Sequence, residues 1–96
     1  MNINDLWYKP LLNIGNEYSR RVNEMLHKVY IKVNENHEIV EINSDVFIND
    51  YTGFIYLDEG YGDKYIHAQG NYFDKPIVNE DGIYNYLYIN GKVYER

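Results

Sequence analysis

The sequence predicts an α+β domain in which an N-terminal helix packs on a mainly antiparallel sheet of four to five strands, built around two hairpins. Three observations predict it. Apolar residues recur at helical spacing up to about residue 28 and at alternate positions after it, and an Asn-Gly pair near residue 90 separates two alternating runs. Ninety-six residues suffice for one core and are too few for two. The expectation is a single domain over 1–96, with 1–28 a helical segment and 29–96 a β-rich module.

The helical quarter opens with Asn2 or Asn4 as a cap for a short turn carrying Leu6 and Trp7. Pro10 interrupts it, because proline lacks an amide donor and clashes with the preceding turn. Gly15 and Asn16 then read as a break and a new cap. Tyr18, Val22, Met25 and Leu26 fall at i, i+4, i+7 and i+8, one stripe of a helix running to about Lys28. Next, Val29, Ile31 and Val33 alternate with Tyr30 and Lys32. The polar turn Asn34-Glu35-Asn36-His37 follows, and Val40 and Ile42 alternate with Glu41, which together predict the first hairpin. Asn43-Ser44-Asp45 closes it. Phe54 to Leu57 reads as a short strand ended by Asp58-Glu59-Gly60.

Residues 58–82 hold glycines at 60, 62, 70 and 82 and a proline at 76, yet they are rich in apolar and aromatic side chains. That combination predicts an ordered loop held down by its own side chains. The last element is the clearest. Ile83 to Ile89 and Lys92 to Glu95 flank Asn90-Gly91, whose residues tolerate the positive φ of a two-residue type I′ turn. Counting outward sets Tyr88 across from Val93 and Tyr86 across from Glu95. Tyr84, Tyr86, Tyr88 and Val93 then share one face, and Leu87, Ile89 and Tyr94 the other. Apolar groups on both faces predict cover on both sides, by the helix and by a loop or a partner.

Composition narrows the function classes. The absence of cysteine excludes disulfide scaffolds, thiolate zinc sites and cysteine nucleophiles. No apolar run approaches the length of a membrane span and no basic-then-apolar leader opens the chain, so no membrane role is expected. Net charge is −6 and uneven: residues 1–34 carry three acids against five bases, 35–81 eleven against two, and 82–96 one against two. The acidic middle would repel a phosphate backbone, so direct nucleic-acid binding is not expected. Such a surface serves solubility, meets a basic protein patch or imitates DNA. Twelve tyrosines, each a large apolar ring with a hydroxyl, point to half-buried strands or a contact surface.

Catalytic patterns are weak. His27, His37 and His67 form no HxH or HxxxH pair. Asp58, Glu59, Asp63 and His67 could converge in a glycine-rich loop, but they lack the alternating carboxylates of a hard-cation site. Asp58-Glu59 and Glu80-Asp81 are predicted to lie in turns, without the separated, differently buried pair that glycoside hydrolysis needs. Ser19 and Ser44 sit in no nucleophile elbow, and Gly60-Tyr61-Gly62 lacks the strand and helix of a dinucleotide site. The expectation is therefore no catalysis, no cofactor and no metal. The densest set of versatile side chains is Asp63, Tyr65, His67, Gln69, Asn71 and Tyr72. These either satisfy the loop internally or contact a partner. Trp7 is a further candidate anchor, for a groove on another protein or for its own sheet.

The stretch Gly62-Asp63-Lys64-Tyr65 with His67-Ala68-Gln69-Gly70-Asn71-Tyr72-Phe73, set between Ile39 to Asp45 and Gly82 to Arg96, resembles a module over about residues 29–96. The module resembles small proteins of the tail gene clusters of phages and prophages of low-GC Gram-positive bacteria. Phe54 stands where that family often has Trp, and segment 1–28 extends beyond its usual start. The opening Met1 to Leu6 is in turn similar to the start of small acidic Cas9 inhibitors of Listeria prophages. The first resemblance implies a non-enzymatic tail accessory or assembly protein whose partner is another tail protein. The second implies an inhibitor of a host defence protein with a DNA-mimic surface. Either would reside in the host cytoplasm or in the virion tail, and a homo-oligomer is compatible with both. A sugar-stacking module built on exposed tyrosines is a third class.

Overall fold

The computed structural model describes residues 25–96. The turn expected around Leu6 and Trp7, and most of the helix expected up to Lys28, lie outside the described residues. The overlapping part differs from the expectation. Met25 and Leu26 are exposed and irregular, and His27 and Lys28 already belong to strand β1 (His27–Val33). Pairing overrides the helical stripe there, since His27 faces Gly60, Lys28 faces Glu59, and Asp45 accepts the Lys28 amide at 3.0 Å.

β1 pairs antiparallel with β2 (Ile39–Ser44) on one side and β3 (Ile55–Gly60) on the other, giving the order β2-β1-β3. The predicted polar turn joins β1 to β2. Asn34 Oδ1 accepts the amides of Asn36 and Glu38, and His37 takes a left-handed φ of 67°. β3 was expected to stop before Asp58 but runs on through Asp58-Glu59-Gly60, because β1 begins earlier and supplies partners for them.

Two bulges set which side chains face inward. Lys32 faces Glu41 and Val33 faces Ile39, so Val40 is the extra residue. The bulge reverses the alternation, and Ile39 with Ile42, not Val40 with Ile42, enters the core. In β3 the extra residue is Leu57, since Val29 faces Asp58 and Tyr30 faces Tyr56. Val29, Ile31 and Ile39 are fully buried. With Ile42, Ala68 and Tyr86 they form one hydrophobic cluster, flanked by Leu57, Tyr65, Tyr72, Phe73 and Ile77.

The stretch expected to be an irregular loop contains two single helical turns, α1 (Asp63–Ile66) and α2 (Ala68–Asn71). β4 (Tyr86–Ile89) and β5 (Lys92–Glu95) then form the second hairpin. Its register is the predicted one, Tyr88 across from Val93 and Tyr86 across from Glu95. Asn90 at φ 53° and Gly91 at φ 80° supply the turn.

The five described strands make two sheets and not one. The hairpin joins the β1–β2 turn at its tip. Tyr88 donates its amide to the His37 carbonyl at 2.8 Å, Glu38 bridges Leu87, and Arg96 Nη1 reaches Glu38 Oε2 at 3.0 Å. The Asn34 hydrogen bond, then that of the arginine, holds the Glu38 carboxyl below its usual range. Cover on both faces of the hairpin is not found: Tyr86 is buried, but every residue of β5 is exposed. Replacing Gly91 by Ala forces a Cβ into left-handed backbone and is expected to cost about 1–2 kcal/mol. Urea unfolding measures this, with the exposed Lys92→Ala as an unaffected control.

Candidate functional site

Asp63, His67 and Asn71 are spaced four and four along the chain, so two consecutive helical turns place them on one stripe. Gly62, at φ 94°, turns the chain into α1, and its carbonyl accepts the amides of Tyr65 and Ile66. The stripe closes on the aspartate. Asp63 Oδ1 accepts from His67 Nδ1 and Oδ2 accepts from Asn71 Nδ2, both at 2.6 Å. A single carboxylate thus binds α1 to α2 through charge-assisted bonds.

The two predicted tyrosines point inward. Tyr72 donates its hydroxyl to Asp58 Oδ2 at 2.6 Å and meets Tyr65 edge-on at 5.9 Å. Lys64 Nζ lies 4.9 Å from the Tyr72 ring and 5.6 Å from that of Tyr65. Tyr65 packs directly over Gly60, where any Cβ would collide with its ring. Burial, then the Asp58 hydrogen bond, raises the Tyr72 hydroxyl above the ordinary tyrosine range.

Of the sequence-predicted contact residues, then, Asp63, His67 and Asn71 bond one another, and Tyr65 and Tyr72 pack against the core. Gln69 is exposed beside a cavity of about 220 Å³ floored by Ile42 and Ala68. Trp7 lies outside the described residues. Asp58, Glu59, Asp63 and His67 do not converge. Asp58 and Glu59 are consecutive residues of β3, not of a turn, and project to opposite faces. Asp58 turns to Tyr72 and Glu59 to the Tyr56 hydroxyl, at 2.8 Å. Among the described residues no group of three or more His, Asp or Glu is placed to hold a metal ion. No helix among them is long and apolar enough to cross a membrane.

A second surface was not singled out from the sequence. Tyr30 and Lys32 alternate with Val29 and Ile31, so they occupy the outer face of the three-stranded sheet. There Tyr30 meets Tyr51 at 4.9 Å and Tyr56 at 6.1 Å, each nearly perpendicular to it. Lys32 Nζ sits 4.5 Å above the Phe54 ring. Tyr51 is 44% exposed and Tyr56 46%. The rings form a corrugated cluster, unlike the flat platform on which a sugar stacks. The signal was present in the alternation over 28–32, but Tyr51 and Phe54 join only through the turn before β3. The Glu59 hydrogen bond, with some desolvation, pushes the Tyr56 hydroxyl up to about 12.

No protein-family model matches this chain, and neither does any curated protein or solved structure.

Two outcomes follow from the bonding of the loop. Tyr72→Phe removes the hydroxyl that satisfies Asp58 and is expected to cost about 1 kcal/mol in denaturant unfolding. In an ultraviolet phenolate titration, Tyr56 and Tyr72 are expected to ionise above the ordinary tyrosine range. Their folded-state values lie above the ordinary 10. The stability they contribute is therefore complete below that pH and is lost as pH rises through the folded values. Tyr72→Phe should delete one late-ionising group, leaving the Tyr56 step near 12.

Proposed function

We propose that this chain is a non-enzymatic accessory or assembly protein of a phage tail, acting by protein–protein contact through the outer face of β2-β1-β3. The observation that carries this reading is the cluster in which exposed Tyr51 and Tyr56 pack around half-buried Tyr30. Aromatic side chains with a polar tip are enriched at protein interfaces, and here Tyr30 and Tyr56 stand on the sheet with Tyr51 packed beside them. The resemblance of residues 29–96 to tail-cluster proteins supplies the setting, the host cytoplasm or the assembled virion. In this reading the 58–73 loop braces the fold, because its versatile side chains are largely engaged with one another.

The test is capture of the products of neighbouring tail genes. Tyr51→Ala with Tyr56→Ala should weaken capture at least about tenfold with the fold retained. His67→Ala should leave it nearly unchanged. Full binding by the double tyrosine variant would overturn the assignment of the face.

One observation favours a second reading, an acidic inhibitor of a host defence nuclease. Glu59 and Asp63 are exposed, and neighbouring donors fix each carboxylate. A surface imitating DNA phosphates needs carboxylates held in that way. Protection of DNA from cleavage by CRISPR effectors, weakening steeply as salt is raised, would select this reading over the first. No protection at low salt would dismiss it.

A further inference from the structure

We propose that the cavity between α2 and residues 73–77 is an anchor pocket for one apolar side chain of a partner protein, with a basic residue beside it in the partner's sequence. The inference deepens the contact reading and rests on it, but it concerns a different surface from the tyrosine face.

The pocket is preformed. Its floor is Ile42 and Ala68, 6% and 1% exposed, and its walls are Phe73 and Ile77. The wall segment is pinned from behind by residues around the start of β4. Phe73 stacks on Tyr86 at 4.1 Å and 15°. The Tyr86 hydroxyl accepts the Lys75 amide at 3.2 Å. Asn85 gives its side-chain amide to the Pro76 carbonyl at 2.7 Å and its backbone amide to Ile77 at 2.8 Å. A pocket braced this way loses little freedom when filled.

Its volume, about 220 Å³, suits a single leucine- or phenylalanine-sized side chain. It is below the roughly 300–1,000 Å³ typical of sites for larger small molecules. Water over that apolar floor is displaced favourably by a hydrocarbon group.

Charge at the rim selects the neighbour. Lys75, the lining base, is paired with Glu95. Asp74, the lining acid, is exposed and enters no ion pair among the described residues. Among the described residues the rim therefore presents one uncompensated negative charge, within a stretch of eleven acids and two bases. A Lys or Arg next to the anchor satisfies it. The exposed Gln69 amide, at the same rim, can serve the partner's backbone as donor and acceptor.

The test uses capped dipeptides and the methyl resonances of Ile42, Ala68 and Ile77. Acetyl-Leu-Lys-amide should move all three saturably, and acetyl-Ala-Lys-amide should move none. Acetyl-Leu-Glu-amide should bind about threefold more weakly, the scale of one exposed ion pair. Asp74→Asn, a surface change that leaves the fold intact, should erase that difference. Silence at the three methyls, equal binding of the alanine peptide, or a lysine preference surviving Asp74→Asn would each overturn the proposal. A silent pocket would leave the tyrosine-face reading standing, since Tyr51 and Tyr56 test that separately.

Discussion

Strand β1 is the constraint on which the described structure depends. It alone among the described strands pairs with a named strand on each side, and it places the fully buried Val29 and Ile31 at the centre of the core. Its pairing draws His27 and Lys28 into a strand and lengthens β3 to Gly60. Both bulges are adjustments of its neighbours, at Val40 and Leu57, to a strand that stays regular. Each bulge decides which side chains of the partner strand reach the interior.

The core that β1 organises is small and mainly aliphatic, with Tyr86 its one fully enclosed ring among the described residues. Most of the other tyrosines must then sit at its margin or outside it. Tyr65 and Tyr72 are at the margin, where they carry the single-turn helices and tie the loop to Asp58. Tyr51, Tyr56, Tyr61 and Tyr94 are outside, between 44% and 62% exposed. Asp63, His67 and Asn71, which look most functional in the sequence, bond one another, while rings that look like core material are left at the surface. A scaffold with uncovered aromatic groups is suited to contact, and in our proposal the pocket beside α2 adds a second, differently shaped point of attachment.

The second hairpin was legible from sequence down to its register, because Asn90-Gly91 fixes the turn and the turn fixes every pair beyond it. The first was legible as a hairpin but not in its facing, since nothing in the composition of Val40 marks it as a bulge. The short helices were missed for a different reason. Four residues give no periodicity, although Asp63, His67 and Asn71 at spacings of four do carry a signal of helix and of mutual bonding. The split into two sheets was beyond sequence reasoning. It arises where Tyr88, Leu87 and Arg96 meet His37 and Glu38, residues far apart in the chain. The outer tyrosine face was half visible in the alternation around Tyr30, and only the packing of Tyr51 and Tyr56 against it completes the surface.

The central claim is that a small aliphatic core built on β1 leaves tyrosine rings free at the surface. Photochemically induced nuclear polarisation with a flavin dye tests it most directly, because only rings the dye can touch give a signal. Polarised resonances are expected from Tyr51, Tyr56, Tyr61 and Tyr94 in the isolated protein and none from Tyr86. Dark signals from Tyr51 and Tyr56, or a bright one from Tyr86, would contradict it.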